Sequence, residues 1–468
     1  MFEIIIIYLI FSIGLGLFAS RRVATATDFI SAGRNLSFHF IIAMVFATWF
    51  GAETVLGISA IFLEEGLHGL ASDPFGASAC LIIFGIFFAR KLYKMNLLTL
   101  GDFFRKRYNS RIELVISICI VVSYLGWVSA QITALGLIFN ILSNGSISFE
   151  VGMVIGGVSV LIYTLVGGMW SIAITTFVQM IVIVFGLLIV TVEANNIAGG
   201  FTNVFSSAKD EGMLMLLPEI SIIGVVTWVG AFMTMALGSI PQQDVFQRVN
   251  SAKSANIAAW GTSLGGLVYL AFAFIPMFLA YSAVIIDPNL TSQLMERDSQ
   301  LVLPSLVMNH MPVWLQIVFF GSLLSVIMST ASGTLLAPSV IFTQNIFKTV
   351  KGPINDKQLL FFTRITIFVF TLIVIFYSIS NTNNIHTMVE NAYRVTLAGA
   401  FIPLFAGLFW SKASNFGAFL SLIFGIGTWL FLEIIGLELV VEPQIFGLIS
   451  SFLGMVIGSF LKPDIKQP

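Results

Sequence analysis

Ser329 and Thr330 stand side by side sixteen residues into a long apolar segment, within LLSVIMSTASGTLLAPSV, with Ser325, Ser332 and Thr334 close by. Hydroxyls at that depth in a bilayer need partners, because an unsatisfied polar group in hydrocarbon costs about several kcal/mol. Hydroxyl and carbonyl oxygens are hard ligands, suited to a hard cation that is held and then released. A second stretch offers the carbonyls. Counted from an inner end near His39, Ala47 and Phe50 lie about 8 to 11 residues in, roughly 12–17 Å along a helix, next to the helix-breaking glycines Gly51 and Gly57. Ser329 and Thr330 lie at a similar depth from the inner end near Ile341. Unwound carbonyls near Ala47 and Phe50 can therefore meet the two hydroxyls, forming an uncharged oxygen cage for one Na⁺. The competing role for each hydroxyl is back-bonding to its own helical turn, or packing between helices.

Intramembrane charges are few and are functional candidates. Glu53 sits one turn outward of Phe50, Asp73 at the mouth of the next span, Glu433 in a peripheral span, and Arg394 well inside another. Glu390 precedes Arg394 by four, the favourable helical order for an ion pair. Trp49, Trp127 and Trp228 lie near the middle of three different spans, and three indoles can line a pocket for an organic cation through cation–π attraction. Gln131 lies one turn beyond Trp127 and Gln242 in the GSIPQQ interruption of another span; both join the candidate solute-contacting set.

These residues need a membrane scaffold to position them. The 468 residues are 57% hydrophobic and 10% charged, with mean hydropathy +0.99, against about 25% charged in soluble domains. A helical span needs about 20 apolar residues, and thirteen candidates follow: 2–18, 38–62, 71–89, 113–142, 150–167, 172–193, 221–246, 255–282, 313–346, 359–380, 386–409, 414–436 and 441–461. Basic Arg21 and Arg22 follow the first apolar run rather than precede it, which marks a first span with its N-terminus outside and not a cleaved signal peptide. With that start, the basic residues fall on the cytoplasmic side, Arg248, Lys462 and Lys466 among them, apart from Lys209, Arg297 and Arg394. Glu64, Glu65, Asp210, Glu211, Glu219, Asp287, Glu296 and Asp298 fall outside. Short helices are expected in the longest loops, near 194–220 and 283–312. An odd count divides as one leading span, a repeat of five (38–194), an extracellular loop (195–220), an inverted repeat of five (221–409) and two trailing spans with a short cytoplasmic tail (410–468), preceded by the leading helix and loop (1–37). Inverted repeats put ligand sites at the midplane, where helices are interrupted; Gly51 and Gly57 in span 2 match Gly238 and Pro241 in span 7.

The net charge of −1 gives no footing for nucleic-acid binding. Cys80 and Cys119 fall inside spans, and His39, His68, His310 and His386 are scattered near helix ends, so neither a disulfide framework nor a metal cluster is indicated.

Five segments, ATWFG (47–51), TLGDFFRKRY (99–108), YTLVGGMWSIAITTFVQ (163–179), IPQQDVFQRV (240–249) and MSTASGTLLAPSVIFTQNIF (328–347), together resemble the sodium/solute symporter family. ATWFG, SDPFG, GSIPQQDVFQRV and RITIFVF are most similar to its high-affinity choline transporter subgroup. The resemblance implies an all-α polytopic protein with the five-plus-five inverted repeat of the leucine transporter. It also implies a sodium site made of the carbonyls of Ala47, Phe50 and Val326 and the hydroxyls of Ser329 and Thr330. In the choline subgroup, cage tryptophans match Trp49 and Trp127, while two further cage aromatics match Ala77 and Gln242, leaving the cage half dismantled. Thr176 and Ser332 stand where the family often has acids, which argues against a second, acidic sodium site.

The expected function is Na⁺-coupled symport of a small polar organic solute, such as a choline-like cation, an amino acid or a related metabolite. The solute is expected at the midplane, against Trp49, Glu53, Asp73, Trp127, Gln131, Trp228, Gln242 and Arg394. Proton coupling through Glu53 or Asp73 is the nearest alternative. A channel would need a continuous polar path, and a sensor or enzyme a signalling domain or catalytic constellation; the sequence offers none of these.

Overall fold

The computed structural model describes residues 2–217, 221–381, 384–436 and 441–464; Glu219 and Lys466 fall outside them. The protein is all-helical. Among the described residues, ten helices are long and apolar enough to cross a membrane, or up to twelve if each of two bent pairs is one span. In chain order the elements used below are α1 (Phe2–Ala19), α2 (Phe38–Trp49), α3 (Ile58–Glu65), α4 (Leu67–Lys94), α5 (Ser110–Leu142), α6 (Phe149–Ile197) and α7 (Ile222–Gly238). They continue with α8 (Gln243–Ser251), α9 (Ala255–Ile286), α10 (Val313–Ile341), α11 (Asp356–Ser380), α12 (Ile385–Phe409), α13 (Asn415–Ile435) and α14 (Pro443–Leu461).

Polar caps set where these helices start. The Asn109 side chain accepts from the N–H groups of Arg111 and Ile112, and Ser254 and Ser414 cap α9 and α13 in the same way, satisfying donors that a helix start leaves orphaned. The long loops carry short helices, Phe201–Asp210, Pro288–Arg297 and Val302–His310. In the second loop His310 Nε2 lies 2.9 Å from Asp287 Oδ2. The backbone N–H of Leu290, and then His310, hold the Asp287 carboxyl below the usual carboxylate range.

The two bent pairs are the leading helices of the two expected repeats. The helix Phe38–Trp49 turns by 54° into Glu53–Glu65, and α7 turns by 47° into α8. The start of the first pair and the end of the second are tied together: Leu36 N donates to the Ser251 carbonyl at 2.9 Å and Lys253 N to the Leu36 carbonyl at 2.9 Å. Spans expected at 150–167 and 172–193 form a single 49-residue helix, α6, interrupted at Gly168 (φ 49°, ψ −138°). That conformation requires glycine, and a Cβ there would collide with the Phe29 carbonyl.

Burial separates the centre from the rim. Every residue of α10 from Phe319 to Ile341 is buried, as expected of a helix enclosed on all sides. On α11 and α13, Phe376 is 73% and Ile434 is 82% exposed, apolar faces suited to lipid. Cys80 and Cys119 are both buried and free.

Candidate ion and solute site

The break after α2 frees backbone oxygens. Phe50 leaves helical geometry (φ −84°, ψ 74°). The N–H of Thr54, which would close a helical turn on the Phe50 carbonyl, instead donates to Gly51 O at 3.1 Å. Hydroxyls from α10 meet the Ala47 carbonyl: Ser329 Oγ donates to it at 2.6 Å, and Thr330 Oγ1 lies 3.4 Å from it. Both hydroxyls also reach the Val326 carbonyl, at 2.8 and 3.2 Å. Ala47, Val326, Ser329 and Thr330 thus bring four neutral oxygens together in a fully buried place, with Phe50 at the same break. Hydroxyl rotation would turn both Oγ lone pairs toward a cation, so the donor chemistry suits Na⁺. The back-bonding alternative describes only part of each contact, because each hydroxyl reaches a carbonyl of another helix as well as its own. Thr176 and Ser332 are buried hydroxyls; Thr176 Oγ1 has no hydrogen-bond partner among the described residues, and Ser332 Oγ donates to the Ser329 carbonyl at 3.2 Å.

Directly outward lies an aromatic and acidic cluster. Trp49 and Trp127 meet edge to face with centroids 5.6 Å apart, Tyr393 of α12 contacts both at 6.3 and 5.7 Å, and Tyr124 stacks on Trp127 at 6.0 Å. Three buried carboxylates surround them. Glu53 accepts from Trp127 Nε1 at 2.9 Å and from Gln131 Nε2 at 2.7 Å, and Gln131 Oε1 accepts from the Ala52 N–H at 3.0 Å, bracing the break. Asp73 accepts from the Tyr269 hydroxyl, which lies 3.2 Å from Thr54 Oγ1. Asp244 accepts from Tyr124 at 2.6 Å and Trp49 Nε1 at 3.2 Å. Among the described residues, Asp244 alone of the three has a cationic partner, Arg248 Nη1 at 3.6 Å. Gln242 sits at the second break, donating to Ser123 at 3.0 Å and reaching Thr396 of α12 at 3.4 Å.

Three expected positions are corrected. Arg248 is not in a cytoplasmic loop: it is 1% exposed and turned inward, donating to the Asp244 carbonyl at 2.6 Å, to Met44 O at 3.2 Å and to Thr48 Oγ1. The α8 helix continues one turn past the expected span end and folds under α2, which encloses the guanidinium. Trp228 does not join Trp49 and Trp127; it stacks on Phe232 at 5.6 Å and lines a separate vestibule. Arg394 pairs with Glu433 of α13 at 3.6 Å rather than with Glu390. Neighbouring Tyr393 takes the inward direction, so Arg394 faces away from the aromatic cluster. The vestibule, about 480 Å³, is lined by Glu65, His68, Trp228, His386, Glu390 and Glu442. Ser72, His386 and Glu390 also line a small recess at Asp73, so the vestibule leads toward the acidic cluster.

Sequence reasoning missed Asp244, Tyr124, Tyr269 and Tyr393. Asp244 and Arg248 were legible as an i, i+4 pair of opposite charge straddling the expected end of a span at 246; the tyrosines carried no signal beyond their residue type.

Two broken helices, with hydroxyls of a third helix meeting a carbonyl at one break and an acidic aromatic cluster beside it, match the way membrane transporters build ligand sites at helix interruptions. The fold matches that of a Na⁺-coupled sialic acid symporter in a substrate-bound outward-open state, with a TM-score of 0.86 and 17% identity over 100% of this chain and 98% of that one. MhsT in complex with L-phenylalanine matches with a TM-score of 0.58 and 16% identity over 90% of this chain and 97% of that one. The chain belongs to the sodium:solute symporter family, whose model matches residues 29–425. It is 27% identical to the human high affinity choline transporter 1 over 86% of this chain and 69% of that protein. It is also 24% identical to the sodium/pantothenate symporter of Haemophilus influenzae over 97% and 96% of the two chains. The protein is therefore a membrane transporter and not an enzyme.

Proposed function

We propose that the protein is a Na⁺-coupled symporter that imports a small organic cation, choline-like or an amino compound, by alternating access. The observation that carries this reading is the Ala47 carbonyl, released by the break of α2 and met by Ser329 and Thr330 from α10. Na⁺ held by Ala47, Phe50, Val326, Ser329 and Thr330 bridges the broken helix to α10 and favours the outward-open state. The solute enters by the vestibule and binds against Trp49, Trp127 and Tyr393, with its charge toward Glu53 and Asp73, which have neutral hydrogen-bond donors and no basic partner among the described residues. Gln131 and Gln242 hold the two breaks, Trp228 lines the vestibule, and Arg394 ties α12 to α13 through Glu433. A membrane potential of about 100 mV supplies roughly 2.3 kcal/mol per charge, about 50-fold for each charge moved, so roughly 2,400-fold accumulation for one Na⁺ with a monovalent organic cation.

In the same reading the chain crosses thirteen times, counting both bent pairs as single spans and α6 as two crossings joined at Gly168. A helix of 49 residues is about 74 Å long at 1.5 Å per residue, more than twice the hydrocarbon core. The spans within 38–194 and 221–409 form the inverted repeats, with the N-terminus outside and the C-terminus cytoplasmic.

The test is uptake into proteoliposomes from a panel of labelled choline-like cations, amino acids and related metabolites, with an inward Na⁺ gradient or with K⁺ in its place. Uptake of one solute only with Na⁺ is expected. Equal uptake in K⁺ would reject sodium coupling. Proton coupling is the second reading, favoured by the two carboxylates lacking a basic partner; it requires uptake driven by an inward pH gradient without Na⁺.

A further inference from the structure

A cavity of about 1440 Å³, lined by none of the ion-site residues, lies between the start of α5 and α13, on the side that the proposed topology makes cytoplasmic. Its mouth is basic. Lys106, Arg111 and Lys462 are exposed, and their side chains carry no ion pair or hydrogen bond among the described residues. A fourth cation, Arg107, is already committed to the carbonyls of Gly407 at 3.0 Å and Ala413 at 2.7 Å. The acid at the mouth, Asp464, is engaged with the backbone N–H of Asn415 at 3.1 Å and with its side-chain amide at 3.0 Å. The remaining field is positive.

Below the mouth the walls become apolar: Val115 on one side, and Phe416, Phe419, Ile423 and Ile426 on the other. Val115 is 41%, Phe419 47% and Ile423 49% exposed. The groove ends at Gly427, where an added Cβ would meet nothing within 4 Å. From Phe416 to Gly427 is roughly 16 Å of helix, the depth of one leaflet of hydrocarbon, about 15 Å. A free phosphate would use the basic mouth and leave the apolar groove bare; a neutral lipid would use the groove and leave three cations without counter-charge.

We propose that this groove holds one anionic phospholipid of the cytoplasmic leaflet, its phosphate among Lys106, Arg111 and Lys462 and an acyl chain along α13 as far as Gly427. The two ends act together. Each basic residue near an anionic headgroup strengthens binding about fivefold, and each buried methylene adds about fourfold.

The test is native mass spectrometry of the full-length protein in mild non-ionic detergent, titrated with dioleoylphosphatidylglycerol or dioleoylphosphatidylcholine. One saturable phosphatidylglycerol adduct is expected, at least tenfold tighter than phosphatidylcholine. Lys106→Gln/Arg111→Gln/Lys462→Gln should weaken it about 100-fold. Gly427→Leu, which leaves every charge in place and whose Cβ meets nothing within 4 Å, should weaken it about tenfold. Glycerol 3-phosphate, which has the charge without the chains, should not compete with the adduct on the unmodified protein. Equal binding of the two lipids, unchanged binding to Gly427→Leu, competition by glycerol 3-phosphate, or a second copy of the chain filling the groove would each overturn the proposal. If the triple variant does not fold, the competition and Gly427→Leu measurements decide alone.

Discussion

Replacing Ser329 by alanine separates an ion ligand from a packing hydroxyl. The Ser329 oxygen lies 2.6 Å from the Ala47 carbonyl and 2.8 Å from the Val326 carbonyl. Its loss leaves Ala47 with Thr330 Oγ1 at 3.4 Å, a poor hydrogen bond. A buried carbonyl left under-satisfied costs about 1–3 kcal/mol, and that cost is the same in any salt. If the hydroxyl is also one of five oxygens around Na⁺, its removal forfeits a charge–dipole contact of about 1.5–3 kcal/mol, a roughly 10- to 150-fold loss of Na⁺ affinity. The assay is the melting temperature of the purified protein as NaCl replaces KCl at constant ionic strength. An ion that binds the folded state adds RT ln(1 + [Na⁺]/Kd), so the Na⁺-minus-K⁺ difference reports the site while the K⁺ curve reports packing. Ser329→Ala and Thr330→Ala should each move the Na⁺ midpoint by tenfold or more, and Thr330→Ser should stay within a few-fold of the parent. Variants that melt lower by the same amount in both salts, with an unchanged Na⁺ midpoint, would refute the site.

Glu53→Gln keeps an acceptor for Trp127 or Gln131 but removes the charge; affinity for a cationic solute should fall tenfold or more while Na⁺-dependent melting persists, read by solute titration and thermal shift on the same sample. Asp244→Ala strands a buried Arg248 and should cost about 3–5 kcal/mol, seen as a large drop in melting temperature that Asp244→Ala/Arg248→Met mostly restores. Burial, and next the nearby charge of Glu390, push the Glu442 carboxyl up to about 7, against the pull of Arg394. A raised carboxyl favours the folded state while protonated, so this contribution is present near pH 4.5 and lost as pH rises through 7; Glu442→Gln should flatten the fall of melting temperature between pH 5 and 8.

Much of the fold was legible because a bilayer imposes simple rules. Apolar runs such as 255–282 and 359–380 became α9 and α11 with ends within a few residues, since hydrocarbon tolerates backbone only in helices. The meeting of α2 and α10 was legible for a related reason: Ser329 and Thr330 are conspicuous in an apolar run, and Gly51 advertises a break at matching depth. Helix rotation was not legible. Arg394 and Tyr393 are neighbours in sequence, yet one pairs with Glu433 at the rim and the other stacks with Trp49 in the core. Trp228 lay on a broken span as Trp49 did, but its face turned to the vestibule. The burial of Arg248 depended on where α8 folds beneath α2, which no local pattern encodes.

The sequence by itself determined that this chain is a helical membrane protein, where its helices break, and which oxygens could serve a cation. Tertiary structure decided which breaks and hydroxyls meet, which carboxylate receives the buried arginine, and which two are left facing the aromatic cluster with neutral partners. The division is physical: solubility in lipid is set residue by residue along the chain, whereas convergence on a site depends on the angles at which packed helices cross and rotate.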